Sequence, residues 1–122
     1  MSTTIDLSGR VVLVTGGSRG IGAGISAVFV DAGATVVTCA RSDVDHPAPG
    51  TTHVVCDVRD PDSVRAMIDG IVATHGRLDV VVNNAGGAPY ALAADASPRL
   101  HDRILGPNLT APLLVAQAAN AV

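Results

Sequence analysis

The segment Thr15-Gly16-Gly17-Ser18-Arg19-Gly20-Ile21-Gly22 follows one apolar run and opens another. Glycines in such a place let backbone N–H groups and the positive end of a helix approach a pyrophosphate that Cβ atoms would keep away. Gly16, Ser18, Arg19, Gly20, Ile21 and Gly22 are therefore candidate nucleotide-binding residues. Their spacing is G-x-x-x-G-x-G rather than the commoner G-x-G-x-x-G, and the plain alternative is an ordinary glycine-rich turn. A second apolar run ends in Ala40-Arg41. An acid there would hold a ribose diol and repel a 2′-phosphate. Ala40 can do neither, whereas the planar fork of Arg41 suits phosphate, so NADP is expected over NAD. Arg19 could reach the same phosphate from the other side. Each arginine taken singly also fits a solvated surface charge, and Asp43 and Asp45 oppose the phosphate reading slightly.

Three further groups of polar residues end apolar runs. Asp57, with Val58 beside it, follows the run that closes in Cys56 and reads either as a ligand contact or as the approach to the next helix cap. Asn83-Asn84-Ala85-Gly86 follows Val80-Val81-Val82 and reads as a ligand-facing edge or a polar turn. Asn108, directly after Pro107, reads as a helix interruption. Gly16-Gly17-Ser18-Arg19-Gly20 also satisfies G-x-S-x-G, and Asp79 with His101 would supply the remaining order of a serine hydrolase. Hydrolases of that kind place several strands before the nucleophile, however, and Ser18 follows the first. His46, His53, His75 and His101 show no metal-ligand spacing, so no metal is expected.

Composition narrows the chemistry further. The 122 residues carry 8 bases against 11 acids for a formal net charge of −3; every base is Arg, every acid is Asp, and Lys and Glu are absent. Schiff-base and Walker-lysine chemistry are thereby excluded for this chain. One Phe, one Tyr and no Trp on a mildly acidic chain give neither the basic footprint nor the stacking platforms of a nucleic-acid binder. The longest uncharged run, residues 104–122, is broken by Pro107, Asn108, Pro112, Gln117 and Asn120. The N-terminus has no apolar signal region, so no membrane is expected and the cytoplasm is the expected compartment. Cys39 and Cys56 each close an apolar run and read as buried, reduced side chains.

The elements that must position these residues alternate in kind. Val11 to Val14, Thr35 to Cys39, Thr52 to Cys56 and Leu78 to Val82 read as strands. Ile21, Ile25, Val28 and Phe29 mark a helix that Gly33 stops. Asp60-Pro61 caps a second helix carrying Val64, Met67, Ile68, Ile71 and Val72, which Gly76 ends. Ser97-Pro98 repeats the signal for a last helix that Pro107 and Pro112 should kink or interrupt. The segment 41–51, with Pro47, Pro49 and Gly50, is short for a parallel crossover and reads as loop. The expected fold is α/β, a doubly wound, Rossmann-like parallel sheet of about four strands with flanking helices, and residues 1–122 form one domain.

Thr15 to Gly22, Cys56-Asp57-Val58, Asn83 to Gly86 and Asn108-Leu109 stand in the order and setting of the short-chain dehydrogenase/reductase family, which the chain resembles over nearly its whole length. The resemblance implies the NADP-binding half of an oxidoreductase that moves hydride between NADP(H) and an alcohol or carbonyl compound. It implies that Gly16, Ser18, Arg19, Gly20 and Ile21 line the cofactor phosphates, that Arg41 selects NADP, and that Asp57 holds the adenine amino group beside Val58. Asn84, Ala85 and Gly86 would lie along the cofactor and Asn83 would brace the central strands. Asn108 would be the asparagine of the catalytic tetrad, and self-association would be expected. Pro107 departs from the family pattern, as does the missing helix in the second crossover. The family's catalytic serine, tyrosine and lysine have no counterparts here: Tyr90 is the only tyrosine, and the fourth residue after it is Ala94. The chain is thus expected to be the N-terminal part of such an enzyme and inactive alone. The competing readings are a non-catalytic NADP-binding module and, behind it, the hydrolase built on Ser18.

Overall fold

The computed structural model describes residues 3–88 and 91–122. Four strands, β1 (Val11–Thr15), β2 (Thr35–Ala40), β3 (Thr51–Val55) and β4 (Val80–Val82), form one parallel sheet in the order β3-β2-β1-β4. The chain builds outward from β1 to β2 and β3, then returns across the sheet to set β4 on the other side of β1. Strand order therefore reverses between β1 and β4, which is where doubly wound sheets open a crevice at their carboxyl edge.

The unbroken apolar run of β1 serves both faces. Val11 and Leu13 join a core with Val37, Cys39, Cys56, Met67, Ile68 and Val115, while Val12 and Val14 pack with Val36, Ile25, Phe29 and Val30. The first face is covered by α2 (Pro61–His75) and α4 (Ala111–Asn120), the second by α1 (Gly20–Asp31). The chain ends as α3 (Pro98–Leu105), a π turn over Gly106–Thr110, and α4.

The α2 signals hold: Asp60 accepts from the Asp62 N–H at 3.0 Å, Pro61 occupies the first turn, and Gly76 closes the helix in the left-handed region at φ 80°. Ser97 likewise caps α3 by accepting from the Leu100 N–H at 3.2 Å. Other expectations shift. In α1 the residues pressed on the sheet are Gly22 and Ser26, flanked by Ile25 and Phe29, while Ile21 is 80% and Val28 68% exposed. The small residues bring the helix close to the sheet and turn part of the apolar spacing outward. Pro107 interrupts the last helix by widening it into the π turn, whereas Pro112 falls in the first turn of α4 and introduces no kink of its own.

The second crossover is a bare loop, as its length predicts. With no helix over it, the α1 side of β3 is covered only in part, and Val55 is 54% exposed. His53 ties the loop down instead. Its Nε2 lies 3.0 Å from the Ser42 carbonyl, which only accepts, so Nε2 donates there; in the neutral ring Nδ1 then accepts from the Thr38 hydroxyl at 2.9 Å.

Candidate functional site

The glycine turn leaves β1 at its carboxyl end. Gly16 takes φ 63° and Gly20 φ 59°, values open to glycine. At Gly22 the backbone of the turn comes so close that a Cβ would run into the Gly16 carbonyl. The buried Ser26 hydroxyl holds this approach, lying 3.0 Å from the Gly17 carbonyl and 2.9 Å from that of Gly22. Arg19, at the N-cap of α1, makes no side-chain cap, so the leading N–H groups of the helix face the cleft without a capping side chain.

Two loops are knitted together beside this turn. The buried Thr15 hydroxyl accepts from the N–H groups of Asn84 at 3.1 Å and Ala85 at 3.0 Å. The Asn84 side-chain amide donates back to the carbonyls of Thr15 and Gly16 at 3.1 and 3.2 Å. The end of β4 is thereby fixed against the end of β1 on either side of the switch point. Asn83 does not brace the strands as expected. The chain has left the sheet at this position, and the Asn83 amide donates instead to the Pro112 carbonyl of α4 at 3.3 Å.

Asn108 sits inside the π turn. Its amide nitrogen donates to the carbonyls of Gly87 at 2.7 Å and Ile104 at 2.8 Å, and its Oδ1 accepts from the Gly87 N–H at 3.0 Å. Both amide hydrogens are thus engaged, and Asn108 clamps the segment after β4 to the helix. A Cβ on Gly86 would strike its Oδ1, so that glycine is what lets the clamp close.

These elements enclose a cleft of about 750 Å³. Gly16, Ser18, Arg19, Ile21, Gly22, Arg41, Asp57, Val58, Asn84, Ala85 and Gly86 all line it. Gly20 and Asn108 do not; Gly20 supplies backbone geometry and Asn108 stands behind the wall. Sequence reasoning missed Arg59, Gly87, Arg103 and Pro107, which line it as well, as do Ser42, Asp43 and Val44 of the loop after β2. Arg59 carried a faint signal, since an Asp two residues earlier invites a local turn. The Asp57 carboxylate accepts from the Arg59 N–H and side chain, and those hydrogen bonds, with the Arg41 charge beyond them, hold its carboxyl below the ordinary range. Arg19, Arg41 and Arg103 have no ion-pair partner among the described residues. The cleft thus carries three unpaired cations beside the carboxylates of Asp43 and Asp57, an excess of positive charge that suits a polyanion.

Cys39 and Cys56 form part of the cleft floor as free, buried thiols. Burial, with the neighbouring Cys56, pushes Cys39 up to about 12, and burial raises Cys56 as well, which disfavours the thiolate of each. Among the described residues no three His, Cys or Asp side chains are grouped to hold a metal. Nor, among the described residues, is any helix long and apolar enough to cross a membrane. The hydrolase arrangement does not assemble. Asp79 precedes β4 at the amino edge of the sheet, where it accepts from the Val11 N–H at 2.8 Å and from Arg77, while Ser18 lies beyond the carboxyl edge of β1. A strand as long as β1 separates the two edges by roughly 16 Å. Tyr90, considered as a stand-in acid, lies outside the described residues.

Comparison with known proteins agrees with this geometry. The sequence model of a family described as short chain dehydrogenase matches residues 10–121. L-fucose dehydrogenase of Bos taurus is 46% identical over 87 residues, 67% of this chain and 32% of that protein. (+)-Borneol dehydrogenase 1 of Salvia officinalis is 37% identical across 95% of this chain and 48% of its own length. Among solved structures, aldohexose dehydrogenase of Thermoplasma acidophilum superposes with a TM-score of 0.86 at 36% identity, over 97% of this chain and 44% of that one. A short-chain type dehydrogenase/reductase from Mycobacterium marinum gives 0.89 at 35% identity, over 97% and 51%. The chain spans between about a third and a half of the length of these curated relatives.

Proposed function

The chain belongs to the short-chain dehydrogenase family, and on that premise we propose that it supplies the NADP-binding half of an oxidoreductase acting on a small alcohol or carbonyl compound. The observation that carries this reading is the cleft at the switch point, which gathers the glycine turn, Arg19, Arg41, Asp57 and the Asn84–Gly86 segment around one space. The residues present fit a dinucleotide. Uncapped N–H groups of α1 with Ser18 take the pyrophosphate, Arg41 and Arg19 take a 2′-phosphate, and Asp57 with Val58 takes the base. Asn84, Ala85 and Gly86, held by Thr15 and Asn108, form the wall along which the nicotinamide end lies. When bound, the cofactor supplies or accepts hydride. Asn108 belongs to the catalytic group only as a positioning residue, since its amide is spent on Gly87 and Ile104.

Neither a lysine nor a second tyrosine is present in the 122 residues, so the chain by itself is expected to bind without turning over. Two free, buried thiols suit a reducing compartment, and the cytoplasm is the location assigned on that ground. Self-association belongs to the same reading: β4 forms one edge of the sheet and Leu105, Leu109 and Leu113 are exposed. Sedimentation of the purified chain at a mass above the monomer supports it, and a monomer at all concentrations removes it.

Calorimetric titration with NADP and NAD tests the central proposal. NADP should bind more tightly than NAD, and Arg41→Asp should reverse or abolish the preference by removing the fork and adding a repelling charge. A folded chain that binds neither dinucleotide overturns the proposal.

A further inference from the structure

Arg41 leaves the end of β2 between two carbonyls that are both held from the β3 side. The Ala40 carbonyl before it accepts from the Cys56 N–H at 2.8 Å, in continuation of the sheet ladder. The Ser42 carbonyl after it accepts from His53 Nε2 at 3.0 Å. This second fastening depends on one side chain. His53 stands opposite the buried Thr38 in the register of β2 and β3, and the Thr38 hydroxyl donates to Nδ1 at 2.9 Å. That donation keeps the neutral ring in the tautomer whose hydrogen lies on Nε2, toward Ser42.

Beyond Ser42 the loop has no comparable attachment to the sheet. Among the described residues, the Asp43 side chain accepts only from its neighbour Val44, and the next carbonyl engaged is that of Ala48, which accepts from Thr51 at the far end of the same loop. A crossover helix packed on the α1 side of β3 would fix the chain after β2, and none is there. His53 does so from the strand itself. Ser42, Asp43 and Val44 line the cleft next to Arg41, whereas His53 stands outside that lining. We propose that His53 is a positioning residue for the 2′-phosphate subsite: by holding the Ser42 carbonyl it fixes the backbone from which Arg41 projects, and through Arg41 it sets the preference for NADP over NAD. A fork held at two points is ordered before the phosphate arrives, and that ordering does not have to be supplied on binding. The inference rests on the dinucleotide reading of the cleft and adds to it a residue that touches no cofactor.

The test is calorimetric titration with NADP and with NAD of the unsubstituted chain, His53→Asn, His53→Gln, Arg41→Ala and the double variant His53→Asn/Arg41→Ala, with circular dichroism confirming the fold of each. Asn keeps an acceptor for the buried Thr38 hydroxyl and is too short to reach Ser42, while the Gln amide reaches it. His53→Asn should weaken NADP about fivefold, the worth of one hydrogen bond, and leave NAD nearly as it was. His53→Gln should restore most of the loss. With Arg41→Ala already present, His53→Asn should leave the ratio of the two Kd values unchanged, because the residue it acts through is gone. Equal weakening of NADP and NAD by His53→Asn, or no weakening of either, overturns the role of His53 and leaves the cofactor site standing. So does an effect on the ratio that persists in full without Arg41. Failure of the unsubstituted, folded chain to bind either dinucleotide overturns the cofactor site and this inference with it.

Discussion

Gly22 shows how tightly the site is specified at the level of single residues. Its missing Cβ is what allows α1 to begin against the Gly16 carbonyl, and backbone cannot swing aside as a long side chain can. Gly22→Ala should therefore lower stability by about 1–3 kcal/mol, read as a lower urea midpoint with an unchanged slope. Dinucleotide binding should weaken with it, because the displaced turn forms one wall of the cleft. Gly16, Gly22, Arg19, Arg41 and Asn84 were legible in the sequence as cleft residues because their chemistry is unusual at the ends of apolar runs. Thr15 and Ser26 were not. A threonine closing a strand looks like one more β-former, and a serine within a helix looks neutral. Only the folded chain reveals that each hydroxyl holds a turn in place. Arg59 escaped for a related reason, since a charged residue before a helix reads as solvated until its fork is seen on Asp57.

Among the elements, those with punctuation at both ends were read correctly. α2 has a capping Asp, a proline in its first turn and a left-handed glycine at its close, and it lies where those signals put it. Asp60→Ala should cost about 1 kcal/mol by leaving the first-turn N–H of Asp62 without its acceptor, a loss visible in thermal or urea unfolding. Elements defined by apolar spacing alone were read less well. The spacing of Ile21, Ile25, Val28 and Phe29 identifies a helix but not which arc of it touches the sheet, because two small residues dictate how closely it packs. The last helix carried two prolines with equal apparent power to break it. Their effects differ because Pro107 lies within the π turn and Pro112 lies in the first turn beyond it, where a missing N–H is tolerated.

For the molecule as a whole, the parallel sheet separates two tasks between its edges. The carboxyl edge carries the cleft, and the amino edge carries a fastening in which Asp79 accepts from Arg77, from Arg10 and from the Val11 N–H. Those hydrogen bonds, Arg77's foremost, hold Asp79 at about 2, below its ordinary 3.8. A carboxyl lowered by folding stabilises the native state fully above its unfolded value and ceases to do so as pH falls through its folded one. The urea midpoint should accordingly exceed that of Asp79→Asn at pH 6, and the two should converge near pH 2. The alternation of strands and helices made this architecture readable from sequence, since few topologies accept that pattern. The π turn carries a different kind of constraint, one on chain length. It holds one residue more than an α turn, so everything after it is rotated by about 100° relative to an uninterrupted helix. Val115 and Ala111 reach the core only in that rotated phase, while Asn108 reaches Gly87 from within the wide turn. Substitutions along Gly106–Thr110 alter only the contacts of the side chain replaced. Deleting a single residue there would turn the whole of α4 away from the sheet, so this stretch of the gene tolerates changes of letter far better than a loss of one codon.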